Sequence, residues 1–244
     1  MISLLDAGEK PRTVNRKLSS LRSFWRFLLR VGYTETDATR GIIAPKIAKP
    51  LPVFFKENEM AEAEQSMRWS DDFQTMRDSL VIDLLYQTGI RRAELIGLCD
   101  GDVDLVHHEL RVFGKRRKER IVPFGEVLAE RIAEYMTKRN ETFSLETNPQ
   151  QPLIVNNHGN VAGLSTIYTI VRARMGEVST LKKRSPHVLR HTFATEMLNN
   201  GADINTIKTL LGHANLAATQ IYTHTTFEQL KKVYEQAHPR AKKS

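Results

Sequence analysis

Cysteine is almost missing from the chain. With Cys99 alone among 244 residues, no disulfide can form within it, and the composition fits a reducing compartment. Long apolar runs are missing too. Nothing approaches the ~20 residues a membrane helix needs, so no transmembrane segment is expected. Met1–Lys10 carries Asp6 and Glu9 and has no apolar core, so it does not read as a signal peptide. Internal repeats and low-complexity tracts are also absent. What remains has the length of one large domain, or of one domain with an appendage, and an ordinary apolar share of 41%. Acidic residues are in deficit. Lys and Arg number 36 against 28 Asp and Glu, giving a net charge of +8. That balance points to a polyanionic partner, with nucleic acid the first choice.

The excess of cations begins at the N-terminus, where residues 1–50 hold ten Lys or Arg against four Asp or Glu. From Thr13 to Val31 the apolar residues Val14, Leu18, Leu21, Trp25 and Leu28 recur every three or four positions, which predicts a helix with one buried stripe. Arg16, Arg22, Arg26 and Arg30 fall between them, either as a solvated basic face or facing phosphates. Gly32 ends the helix, and Pro45–Val53 is proline-rich and extended, the composition of a linker. These features divide the chain into a partial helical domain over 1–48, a linker over 49–57 and a larger domain over 58–244. One or two helices cannot bury a core unaided, so the first part is an incomplete domain or leans on a partner.

After the linker, Asn58 is placed to cap a helix running to Arg68, and Asp71 or Asp72 a longer one to Tyr86. Ser79–Tyr86 is apolar nearly all round, so this second helix should be central. Gly89 breaks it, and a further helix is expected over Arg91–Leu98. Arg91, opening that helix beside free backbone N–H groups, either helps hold a phosphate or is a surface residue paired with Glu94. Strand signals follow at 103–105, 109–113 and 120–124. The last two flank Gly114-Lys115-Arg116-Arg117-Lys118-Glu119, a hairpin tip that is either solvated or reaches into a DNA groove. A lysine there can deliver a proton, because its compact ammonium shifts pKa more readily than a guanidinium. Helices at 126–138 and 164–175 enclose a polar loop over 140–151. The fold class is therefore mainly α with a small antiparallel β-hairpin.

Lys182-Lys183-Arg184 leads into a helix with Ser185 as N-cap and Pro186 at its first position. His187, Arg190 and His191 share a face of its first turns. The i,i+4 histidine pair lacks both a following glutamate and an evident third ligand, so no metal is expected. Asp203 caps the next helix and Gly212 ends it, leaving His213 in a turn. Alone, His213 is a site residue or a structural hydrogen-bonder, and Tyr222, nine residues on, a site residue or core.

Taken together, four stretches resemble the tyrosine recombinase, or phage integrase, family, and most closely its bacterial Xer-type members. They are Thr-Gly-Ile-Arg-Arg-Ala-Glu-Leu from Thr88, Gly-Lys-x-x-Lys-Glu-Arg-x-Val-Pro from Gly114, His-x-Leu-Arg-His-Thr-Phe-Ala-Thr from His187, and Leu-Gly-His-x-x-Leu-x-x-Thr-Gln-Ile-Tyr-Thr-His from Leu211. All four stand in the family's order. The likeness covers residues 53 to about 236, and Thr13–Pro52 less fully.

The resemblance implies a catalytic domain preceded by part of a helical, SAM-like core-binding domain, and a site-specific recombinase acting on double-stranded DNA without metal, ATP or other cofactor. It assigns Tyr222 as the nucleophile that forms a 3′-phosphotyrosine. Arg91, Arg190 and His213 hold the phosphate, Lys115 protonates the leaving oxygen, and His187 assists Tyr222. Glu94 orients an arginine or His187. Arg16, Lys17, Arg22, Arg116, Arg117, Lys118, Lys182, Lys183 and Arg184 are the expected DNA contacts. A tetramer of like or unlike subunits on two DNA sites is implied, in the cytoplasm, with a helix over about 226–237 docking into a neighbouring subunit or packing on its own chain. Two other readings use the same residues: strand cleavage of the topoisomerase IB kind, and DNA binding without catalysis. Xer-type proteins have an N-terminal domain about twice the length available before Pro50, so either Met1 is not the native start or half of the DNA clamp is missing. The expected outcome is strand cleavage with impaired recombination and a flattened salt dependence of DNA binding. A recombination assay giving full Xer-type activity would contradict it.

Overall fold

A computed structural model describes residues 6–47, 53–66, 71–114, 118–212 and 224–241. The chain forms two compact units, Met1–Leu51 and Pro52–Ser244.

In the first unit, α1 (Pro11–Arg30) starts on a proline, which has no N–H to leave unsatisfied in the first turn. Of the expected apolar stripe only Val14 and Leu18 are buried, and Leu21 is 48% exposed. This corrects the sequence expectation. The chain returns along α1, where the Asn15 amide donates to the Pro45 carbonyl (3.0 Å) and the Arg22 guanidinium to Ile42 O (2.7 Å). One helix backed by one short segment has too little apolar surface to cover every turn.

The second unit is built around a buried helix. It opens with α2 (Glu57–Ser66) and then α3 (Phe73–Thr88), where the Asp72 carboxylate accepts from the Thr75 backbone N–H at 2.8 Å. Nearly all of α3 is buried, against α5 (Glu126–Phe143), α6 (Leu164–Val178) and α7 (Pro186–Asn199). Gly89 closes α3 in the left-handed conformation at φ 60°. The helix expected from Arg91 to Leu98 is only α4 (Arg92–Leu95), with Arg91 as its extended N-cap. Strands β1 (Val103–Asp104), β2 (Glu109–Phe113) and β3 (Glu119–Pro123) form an antiparallel sheet in chain order, with Val112 opposite Arg120.

Helix α5 runs five residues past its expected end, into what reads as a polar loop. Phe143 packs edge-on against Phe73 at 4.9 Å, and Ser144 then turns the chain at φ 51°. Ser185 occupies the N-cap of α7, but its hydroxyl makes no cap bond. Asp203 caps α8 (Ile204–Leu210) through the N–H groups of Asn205 and Thr206.

The last helix, α9 (His224–Ala237), packs on its own chain. Leu230, Tyr234 and Ala237 join Phe193, Met197 and Leu210 in a core separate from the larger one around α3. Tyr86 Oη donates to Glu196 Oε2 at 2.5 Å and ties α3 to α7. Beyond α9, His238 is only 3% exposed and stacks on Tyr234 at 5.2 Å, and burial pushes its pKa down to about 3. No described helix is long and apolar enough to cross a membrane.

A Cβ built on Gly89 would lie 2.5 Å from Phe193 Cδ1 and 2.9 Å from Leu211 Cδ2. Gly89→Ala combines that overlap with a left-handed backbone, an expected cost of about 2–4 kcal/mol. Thermal melting checks it: Tm should fall by roughly 4–16 °C.

Candidate active site

Two helix ends meet at one place, and arginines satisfy their carbonyls. The last turn of any helix leaves C=O groups without partners and carries partial negative charge, which guanidinium groups complement. Arg190, on the first turns of α7, donates through Nη1 to Gly89 O at 2.6 Å and through Nη2 to Leu211 O at 2.7 Å. It thereby ties the end of α3 to the end of α8. Arg91 donates through Nη2 to Gly212 O at 3.1 Å and through Nη1 to Glu94 Oε1 at 2.7 Å. Each arginine spends two of its five N–H donors in these bonds.

Glu94 is the carboxylate at the centre. Its Oε2 accepts from the Arg91 backbone N–H at 2.8 Å, the reach-back half of a capping box on α4. It also receives both prongs of Arg120, at 3.0 and 2.8 Å. Arg120 and Glu94 are each about 5% exposed at the side chain, whereas Arg91 is 42% exposed. Burial alone would raise the Glu94 pKa, but the bonds and charges of Arg120 and Arg91 outweigh it and hold the carboxyl below its ordinary range. Three cations around one anion leave an excess of positive charge. The pKa of Arg190 is pushed down to about 10, first by burial and then by the neighbouring Arg91 guanidinium. It remains charged at neutral pH, and an added anion would relieve the repulsion.

Arg91 and Arg190 open onto a cleft of about 570 Å³ that His187 also lines, with Tyr168 and Leu164 on its α6 side. His187 and His191 meet edge to face, ring centroids 4.6 Å apart. Partial burial, then the charges of His191, Lys183 and Arg190, lower the His187 pKa and favour its neutral form. Among the described residues no group of three His, Cys, Asp or Glu could hold a metal ion.

Of the six residues proposed for chemistry, the structure brings Arg91, His187 and Arg190 to one cleft; Lys115, His213 and Tyr222 lie outside the described residues, as do Arg116 and Arg117. Glu94 bonds Arg91 and, among the described residues, makes no hydrogen bond to His187. Lys118, Lys182 and Lys183 are exposed. Arg184 instead donates to Ser179 O at 3.1 Å and Gly176 O at 3.4 Å, holding its own loop. In the first unit Arg16 is exposed, Lys17 pairs with Glu9, and Arg22 is engaged with Ile42 O. Sequence reasoning missed Arg120. Its signal is alternation: Arg120 and Val122 face the same side of β3, and both are buried. A charged residue at a core-facing strand position must find a partner.

The profile of the phage integrase family matches residues 56–229. Tyrosine recombinase XerC of Chlorobaculum tepidum is 38% identical over 259 residues, covering 99% of this chain and 77% of that protein. Among solved structures, XerA recombinase is 36% identical with a TM-score of 0.57, over 78% of this chain and 67% of that one. The Tn1549 transposon integrase, solved with transposon right-end DNA, shares the fold at 20% identity with a TM-score of 0.69, over 96% of this chain and 82% of that one.

With a lowered pKa, His187 gains its proton only as pH falls below the ordinary histidine range. Protonated, it can no longer accept one. If His187 is the proton acceptor for DNA cleavage, the acid limb of a kcat/KM profile should lie below that range. Removing a neighbouring positive charge raises a histidine pKa, so His191→Asn should move the limb to higher pH. A limb that stays in place or moves down would contradict this.

Proposed function

Because the chain belongs to the phage integrase family, we propose that the cleft between α4, α6 and α7 holds the scissile phosphate of double-stranded DNA. The protein is a tyrosine recombinase, an enzyme that cuts and rejoins DNA strands. The observation that carries the site assignment is the pair of guanidinium groups, Arg91 and Arg190, fixed by main-chain carbonyls in a cleft that His187 also lines. Fixed donors cost no reorganisation when charge develops on a phosphoryl oxygen, which is where electrostatic catalysis gains most.

In this reading Tyr222 Oη attacks the phosphorus and gives up its proton to His187. A free tyrosine, with a pKa of about 10, is mostly protonated at neutral pH and needs that help. The bond from phosphorus to the 5′ oxygen breaks. Lys115 protonates that oxygen, which would otherwise leave as a poor alkoxide. The phosphate becomes a 3′-phosphotyrosine diester, so the energy of the broken bond is retained and rejoining needs no ATP. Arg91 and Arg190 contact the non-bridging oxygens in the manner guanidinium groups favour, and His213 adds a third bond. Lys118, Lys182 and Lys183 with Arg16, Arg116 and Arg117 serve the flanking phosphates. Four subunits on two DNA sites exchange strands in the cytoplasm, in resolving joined chromosomes or moving a mobile element.

A nicked suicide DNA with a Xer-type core site tests the reading on a denaturing gel. The wild-type chain should yield a protein–DNA adduct that Tyr222→Phe abolishes. An adduct that survives Tyr222→Phe would overturn the assignment of the nucleophile. Adduct without joining of two duplexes would favour simple strand cleavage over recombination.

A further inference from the structure

Arg120 touches three parts of the candidate site and has no role in the mechanism above. It lies on β3, directly after the hairpin that carries Lys115 in the sequence, and pairs across the sheet with Val112. Its Nη1 and Nη2 fork onto the two oxygens of Glu94, while its Nε donates to Leu210 O at 2.8 Å. The guanidinium also lies against Gly212, where a built Cβ would come within 3.1 Å of Nη1 and 3.2 Å of Cδ. A side chain that buried and that fully bonded has one conformation available to it.

We propose that Arg120 is a positioning residue for strand cleavage, acting through Glu94 on Arg91. Glu94 has two oxygens and serves two arginines. The Arg120 fork fixes the carboxylate plane, and the fixed plane aims Oε1 at Arg91 Nη1 and Oε2 at the Arg91 backbone N–H. Arg91 is half-exposed and would otherwise sample several rotamers in the cleft. Its other anchor, Gly212 O, lies in the same turn that Arg120 grips through Leu210 O. One buried guanidinium thus sets both bonds that orient the exposed one, without reaching the DNA. Lysine cannot replace it, because a single ammonium cannot fork across a carboxylate and also reach a carbonyl behind it.

The inference rests on the recombinase reading, and two readouts separate their failures. On nicked suicide DNA, Arg120→Met should form the adduct about a hundredfold more slowly than wild type, the scale of a misplaced catalytic contact, and Arg120→Lys an intermediate amount more slowly. DNA affinity should stay within about threefold. The loss should shrink on DNA whose scissile phosphate carries a methyl group in place of one non-bridging oxygen, because a neutral phosphate has less need of an aligned Arg91. A purely structural role would slow both DNAs equally and overturn the proposal, as would an Arg120→Lys chain that cleaves at the wild-type rate. The second readout needs no reaction. The side-chain N–H resonance of Arg91 in the free protein should move in Arg120→Lys, and an unmoved resonance overturns the positioning role. A wild-type chain that forms no adduct while that resonance does move would overturn the recombinase reading instead.

Discussion

The site depends on one buried carboxylate shared by two guanidinium groups. A lone charge in the position of Glu94 would be costly, and breaking a buried ion pair from one side typically costs about 3–5 kcal/mol. The pairing is complete here: Arg120 covers both oxygens, and the main chain and side chain of Arg91 take what remains. Because α4 is only four residues long, it has little strength of its own. The ionic cluster holds it in place and sets where Arg91 stands at its start.

A second constraint comes from the ends of α3 and α8. Their last carbonyls need donors, and arginines from α7, α4 and β3 supply them. The same bonds close two helices and orient two cations, so fold stability and site geometry are not separate there. Gly89 illustrates the coupling. Its left-handed turn ends α3, presents its carbonyl to Arg190, and leaves space that Phe193 and Leu211 fill.

The mainly helical fold with its small antiparallel sheet was legible in the sequence, because Ser79–Tyr86 of α3 is apolar nearly all round and the strand segments are short and β-favouring. Arg91, His187 and Arg190 were legible through motif order, and they share a cleft. Other features depended on distant contacts. Phe143 extends α5 because Phe73, seventy residues earlier in the chain, offers it a ring. Leu21 follows the helical period yet stays exposed, because periodicity marks a face without showing what covers it. Arg120 reads as one more cation beside a basic hairpin tip until its partners, Glu94 and Leu210, are brought together by the fold. Arg184 misleads in the opposite way, since a charge run conceals which member is spent on its own loop.

Anchoring cations on main-chain oxygen has a consequence for redesign. A carbonyl is the same acceptor whatever side chain stands above it, so Leu210 and Leu211 could be exchanged for other apolar residues without removing a hydrogen-bond partner from the site. The path of the backbone is what must be kept, and the positive φ values of Gly89 and Gly212 help define it. Libraries built to retarget this chain can therefore vary Leu210 and Leu211 among apolar side chains that keep the core filled, while two residues with no functional group at all, Gly89 and Gly212, are held fixed.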